Sequence, residues 1–203
     1  MSKIDLWQGD CLELMKNIPD GSIDLILCDP PYGTTACKWD TVIPFEPMWE
    51  QLKRVIKPNG AICLFGSEPF SSALRMSNIK QFKYDWVWKK PKGTGFLNSK
   101  RMPLRDTEIV SVFYKKQPNY IPQMRAGKPY KATNKPERQR GTNRQYKSAT
   151  TTNKGERYPL TTLEFKRDSN VSHPTQKPVD LLEYLIKTYT LEGETVLDFT
   201  IGS

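Results

Sequence analysis

The chain has 203 residues, 37% hydrophobic and 26% charged, with a formal net charge of +9. Such a composition reads as a soluble globular protein with one or two cored domains, and no apolar run approaches the roughly 18 residues of a membrane span. A single histidine, His173, and four cysteines without a CxxC pair weigh against a Ser-His-Asp triad, a histidine-rich metal site or a disulfide framework.

The N-terminus MSKIDLWQGD lacks the apolar core of a signal peptide, so a cytoplasmic location is expected. Its KIDLWQ reads as a short strand closed by Gly9-Asp10. CLELMKNI spaces Leu12, Met15 and Ile18 at helical steps, and Pro19-Asp20-Gly21 makes a turn. SIDLILC, continuously apolar, predicts a buried strand of the parallel type. In PFEPMWEQLKRVIKPNG, Met48, Leu52, Val55 and Ile56 share a helical face, with Pro58-Asn59-Gly60 as the stop. AICLFG predicts another buried strand, EPFSSALRMSNI a helix, and YDWVWKK and EIVSVFYKK two further strands. KPVDLLEYLIKTYT aligns Leu181, Leu182, Leu185, Ile186 and Tyr189, with Pro178 in the first turn. GETVLDF is a final strand, and TIGS opens a glycine turn. This β-α-β alternation predicts an α/β fold, a mostly parallel sheet with helices on both faces.

From about Gln117 to Ser172 the periodic text gives way to a polar, proline-punctuated stretch with tyrosines interleaved. Between Lys115 and Arg167 stand fourteen Lys and Arg against Glu137, Glu156 and Glu164, a surplus of 11 that leaves the rest of the chain at −2. A charge run is often merely a solvated face. This one lies between two ordered halves and carries Tyr120, Tyr130, Tyr146 and Tyr158, which favours phosphate and base contact. KRMPLRDTE, Lys100 to Glu108, is a second candidate for approach to a nucleic-acid backbone. Three segments follow: 1–116, an inserted basic region 117–172, and 173–203.

Ligands of open parallel sheets bind beyond the carboxyl ends of the strands. Three strands end there in acids or glycines: Gly9-Asp10, Asp29-Pro30-Pro31-Tyr32-Gly33, and Asp198-Phe199-Thr200-Ile201-Gly202-Ser203. Each alone is ordinary turn text, and Lys177 alone is a solvated surface lysine. Together in one sheet the three acids would meet at one edge.

DPPYG after an apolar strand, HPTQKP before an amphipathic helix, and VLDFTIGS resemble, in this order around a basic insert, the beta group of amino-methylating DNA methyltransferases. The resemblance implies a Rossmann-like methyltransferase fold. It also implies transfer of a methyl group from S-adenosylmethionine to an exocyclic amine in double-stranded DNA. Segment 1–116 would be the catalytic part, 117–172 the target-recognition insert, and 173–203 the start of the cofactor-binding part. Asp29 and the Pro30 carbonyl would accept the two amine hydrogens, a charge-assisted bond in the case of Asp29. Proline suits the loop because its φ is fixed. Tyr32 would stack on a base taken out of the duplex, with Pro31 and Gly33 beside it. DPPY goes with adenine N6 in this family, and serine in place of Asp29 with cytosine N4.

For the cofactor, the resemblance assigns Asp198 to the ammonium group, Phe199, Thr200 and Gly202 to the pocket wall, and Thr175 and Lys177 to the methionine carboxylate. Asp10 would meet the adenine ring, though it is equally a turn aspartate, and His173 would be structural. Family members continue past the glycine turn into a helix and a strand ending in a ribose-binding acid. The sequence stops at Ser203, so a missing C-terminal part and weak cofactor binding are expected. A homodimer and a cognate restriction endonuclease are open as partners. The competing readings are an N4-cytosine, RNA or protein-glutamine methyltransferase, and a DNA-binding remnant without catalysis.

Overall fold

The computed structural model describes residues 3–35, 37, 40–134, 148–168 and 176–201. The chain divides into two compact units, Met1–Ile121 with Thr161–Ser203, and Pro122–Leu160.

The first unit is a six-stranded sheet whose strands lie side by side in the order Val196–Leu197, Ile23–Cys28, Ile56–Gly66, Arg105–Phe113, Phe82–Thr94 and Thr162–Glu164. Its strands are β1 (Ile23–Cys28), β2 (Ile56–Gly66), β3 (Phe82–Thr94), β4 (Arg105–Phe113), β9 (Thr162–Glu164) and β10 (Val196–Leu197). The pairings β1–β10, β1–β2 and β3–β9 are parallel, and β4 is antiparallel to both β2 and β3. Five strands therefore run one way and β4 alone runs against them, so the sheet is mostly parallel as the alternation predicts. The exception has a simple cause: β3 and β4 follow each other without a crossover helix, and a direct reversal makes an antiparallel pair.

Helices α1 (Cys11–Met15), α2 (Phe45–Val55) and α3 (Phe70–Ser77) pack on one face and α4 (Val179–Tyr189) on the other. The period-2 pleat sorts the core between them. Ile26 and Cys28 of β1 and Ile62 and Leu64 of β2 meet Met48, Leu52 and Leu74. Leu25 and Leu27, with Ala61, Cys63 and Phe65, meet Leu181, Leu185 and Tyr189. Each fully buried aliphatic side chain contributes roughly 1.5–3 kcal/mol. The polar tips of the buried aromatics in the second cluster are satisfied: the Tyr189 hydroxyl bonds the Tyr84 hydroxyl and accepts from the Trp86 indole, both at 2.7 Å, and the Trp88 indole donates to the Phe165 carbonyl at 3.1 Å.

Two local expectations are corrected. KIDLWQ forms no strand; Ile4, Leu6 and Trp7 are exposed, because alternation makes a strand only where a neighbour offers backbone partners. Helix α2 ends at Val55, before Pro58-Asn59-Gly60, and those residues belong to β2. Lys57 precedes a proline and so disfavours the helical region, and Ile56 has already turned extended at ψ 137°. Gly60 then lies so close to β1 that a Cβ there would stand 2.7 Å from the Asp24 carbonyl.

The second unit contains two antiparallel ribbons, β5 (Arg125–Ala126) with β8 (Glu156–Arg157) and β6 (Tyr130–Asn134) with β7 (Ala149–Asn153). Arg157 lies over the Tyr130 ring at 4.6 Å and bonds the Asn153 side chain and the Lys128 carbonyl. Ribbons thus occupy text that shows no periodicity, since their pairing is polar on both faces. The strand Thr162–Glu164, which lies inside 117–172, joins the sheet of the first unit through Leu163.

Candidate active site

Strand direction decides where chemistry can gather. β1, β2, β3 and β10 end at one edge of the sheet, and the reversed β4 begins there. That edge collects Asp29 after β1, Ser67 after β2, Lys90 on β3, Glu108 on β4 and Asp198 after β10.

Asp29 is the junction. Its Oδ1 accepts from the Tyr32 hydroxyl, and its Oδ2 takes the Lys177 ammonium at 2.5 Å. Burial, and then the Asp29 carboxylate, push the Tyr32 phenol well above its usual value, so it stays a neutral donor. One face of the Tyr32 ring is backed by Phe70, with centroids 5.2 Å apart and planes at 29°. Lys177 also pairs with Glu108 Oε2 at 3.4 Å, and Glu108 Oε1 with Lys90 at 3.2 Å. Lys90, Glu108 and Lys177 side chains are only 5%, 13% and 10% exposed, so the alternation of signs is what makes this burial tolerable.

The loop following Pro31 is held from the far side by a residue that the motif reading passes over. Gly33 takes φ +67°, and a Cβ there would meet Val42 at 2.8 Å. The N–H groups of Gly33, Thr34 and Thr35 all donate to the Asp40 carboxylate, at 2.8, 2.9 and 2.7 Å. Burial works to raise the Asp40 carboxyl, but these donors outweigh it and hold the group below the ordinary carboxylate range.

β10 is tied to β1 at the same edge. The Thr200 hydroxyl donates to the Asp29 carbonyl at 3.1 Å and meets the Cys28 thiol at 2.8 Å, and the Thr200 N–H bonds Asp198 Oδ1 at 3.0 Å. Desolvation pushes the Asp198 carboxyl up, Asp29 adds to it, and bonds from Thr200 and Cys28 work against the rise. Among the described residues no Lys or Arg forms an ion pair with Asp198.

The sequence-predicted residues therefore divide. Asp29, Pro30, Pro31, Tyr32, Gly33, Lys177, Asp198 and Thr200 meet at one sheet edge. Phe199 is 8% exposed and packs in the core with α1 to α3. Asp10 caps α1, accepting from the N–H groups of Leu12 and Glu13. Lys177 faces the Asp29 loop, and the anion at the start of α4 is Asp168, whose Oδ2 accepts from the Val179 N–H at 3.1 Å. His173, Thr175 and Gly202 lie outside the described residues, as does Tyr146. Sequence reasoning missed Asp40, Phe70, Lys90 and Glu108. Only Phe70 carried a signal, an aromatic ring after a strand-ending Gly-Ser-Glu-Pro.

A mostly parallel sheet sandwiched by helices, with acids converging beyond the strand ends, defines a Rossmann-like α/β protein of the S-adenosylmethionine-dependent methyltransferase fold. Residues 23–203 match the sequence profile of the N6/N4 DNA methylase family, and the chain belongs to that family. It is 27% identical over 211 residues to the type II methyltransferase M.HpaI of Haemophilus parainfluenzae, covering 96% of this chain and 62% of that one. The chain thus spans less than two thirds of that relative's length. Among solved structures it resembles the cytosine-N4-specific PvuII DNA methyltransferase with TM-score 0.62 and 16% identity, over 94% of this chain and 71% of that one. It also resembles M1.HpyAVI in complex with SAM with TM-score 0.57 and 22% identity, over 95% and 80%. At these identities the two structures speak for the fold. Among the described residues no helix is long and apolar enough to cross a membrane.

Proposed function

We propose that the protein transfers a methyl group from S-adenosylmethionine to the N6 of adenine in duplex DNA, on a base taken out of the helix. The observation that supports this best is the convergence of the Asp29 loop and Asp198 at one sheet edge, linked through Thr200. An exocyclic amine is a weak nucleophile because its lone pair is delocalised into the ring. Asp29 and the Pro30 carbonyl, accepting its two hydrogens, favour a more tetrahedral nitrogen with the lone pair exposed. For the amine to reach Asp29 Oδ1, the Tyr32 hydroxyl gives up its bond there, which frees the ring to stack on the base. Such stacking is worth about 1–3 kcal/mol per base.

The cofactor supplies an electrophilic methyl group on a sulfonium. Asp198 fits its ammonium group: an acid at a strand's end, disfavoured as a charge by desolvation and without a cation, is improved by a bound one. Adenine rather than cytosine follows from aspartate at position 29, by resemblance. Arg and Lys of the second unit would neutralise phosphates.

The test is transfer of labelled methyl from S-adenosylmethionine to mixed-sequence duplex DNA, followed by digestion to nucleosides. Label is expected in N6-methyldeoxyadenosine, and Asp29→Ala should lower it at least about 10²-fold. Label in N4-methyldeoxycytidine would move the specificity to cytosine, and label confined to RNA or protein would refute the substrate. DNA binding without any transfer would make the chain a binding module.

A further inference from the structure

The β3–β4 connection carries an apolar tip that neither the sheet nor the candidate site uses. Leu97 is 99% exposed and Phe96 beside it 78%, with Met102 at 55% and Leu104 at 42% close behind. Exposure of this degree for two adjacent large residues would suit a frayed loop, but this tip is built. Gly95, at φ +89°, turns the chain into a 3-10 helix over Phe96–Asn98, and the N–H groups of Asn98, Ser99 and Arg101 bond back to Gly95, Phe96 and Asn98. The base of the hairpin is closed by the Thr94 hydroxyl on the Arg105 carbonyl and by Leu104 packed against Gly93, where a Cβ would stand 2.7 Å away.

Charge says what such a tip can meet. From Lys89 to Arg105 there are six Lys and Arg and no acid. Lys89 and Lys90 are paired to Glu164 and Glu108, and Arg105 bonds Ser67. Lys92, Lys100 and Arg101 remain, all exposed and without an acidic partner among the described residues. Two apolar side chains between free cations match a duplex, whose phosphates flank an apolar stack of bases. The place matches too: Lys90, at the foot of the hairpin, reaches Asp29 through Glu108 and Lys177. Five residues separate Lys90 from Phe96, six steps that reach about 20 Å when extended.

Resting on the methyltransferase reading, we propose that Phe96 and Leu97 form a wedge that enters the base stack and fills the space left when the target base turns out, while Lys92, Lys100 and Arg101 hold the neighbouring phosphates. Inserted apolar side chains offset the few kcal/mol of unstacking. A wedge of this kind favours a duplex that already contains a gap, whatever its sequence.

The experiment compares, by fluorescence anisotropy, binding of an intact duplex and of the same duplex with one abasic site. The native protein should prefer the abasic duplex by about tenfold, and the Phe96→Ala/Leu97→Ala variant should lose that preference while holding the intact duplex within about twofold. Leu97→Ala alone, at a fully exposed position, should lose part of it and serves if the double variant folds poorly. An equal preference in native and variant proteins, or none in the native, overturns the wedge but leaves methyl transfer standing. Failure of the native protein to bind either duplex overturns the DNA reading and the wedge with it. A native dimer that dissociates on the double substitution, seen by sedimentation, would assign the tip to a second copy of the chain instead.

Discussion

Asp29 holds its place through two neighbours of opposite kind. A neutral phenol three residues away occupies one oxygen, and an ammonium 148 residues away occupies the other. Asp40 works on the same loop without touching the chemistry, gathering three backbone N–H groups on one carboxylate. Asp40→Ala removes the shared acceptor of three N–H groups on the exposed Gly33–Thr35 turn, where water can replace part of it, and should cost about 1–3 kcal/mol in urea unfolding at pH 7. The pH dependence has a definite sign. Because the folded carboxyl lies below its ordinary 3.8, its contribution is complete above that value and is lost as pH falls through the lower folded value. Native and variant stabilities should therefore converge in acid. A difference that stays constant down to pH 2–3 would refute the role of the charge.

Between elements, three strands and one helix are locked together at the site by the series Lys90, Glu108, Lys177 and Asp29. Removing one member of a buried series leaves the others uncompensated, so Glu108→Ala should destabilise the fold by about 3–5 kcal/mol, with Glu108→Gln less costly. Denaturant midpoints check this; a loss under about 1 kcal/mol for Glu108→Ala would mean that water solvates the group. These residues show which parts of the site the sequence could reveal. Asp29-Pro30-Pro31-Tyr32-Gly33 is legible because prolines and glycine interrupt an apolar strand within five residues. Glu108 reads only as the polar start of a strand and Lys90 as a lysine among lysines. What makes them matter is that β4 lies between β2 and β3, a pairing made across the chain. Lys177 was legible as part of a motif, but its partner was not, since the loop it faces lies far away in sequence.

At the level of the whole molecule, basicity is concentrated in one stretch, and within it Lys128 and Lys131 of the second unit are exposed. Duplex affinity should fall steeply with salt, and Lys128→Ala/Lys131→Ala should reduce the slope of log K against log salt by about 1–2. Equilibrium binding at several salt concentrations measures it, and an unchanged slope would free these lysines from phosphate contact. Periodicity was enough to determine an α/β chain with buried parallel strands, two helix-bearing faces and two strand-end acids, Asp29 and Asp198, because pleat and helix pitch are local properties written at fixed intervals. The tertiary structure alone decided that β4 runs against its neighbours, that KIDLWQ pairs with nothing, that Asp10 and Phe199 serve a helix cap and the core, and that Lys177 rests on Asp29. Each of those depends on which backbone or charge lies alongside in space, and burial makes that choice only after the chain has closed on itself.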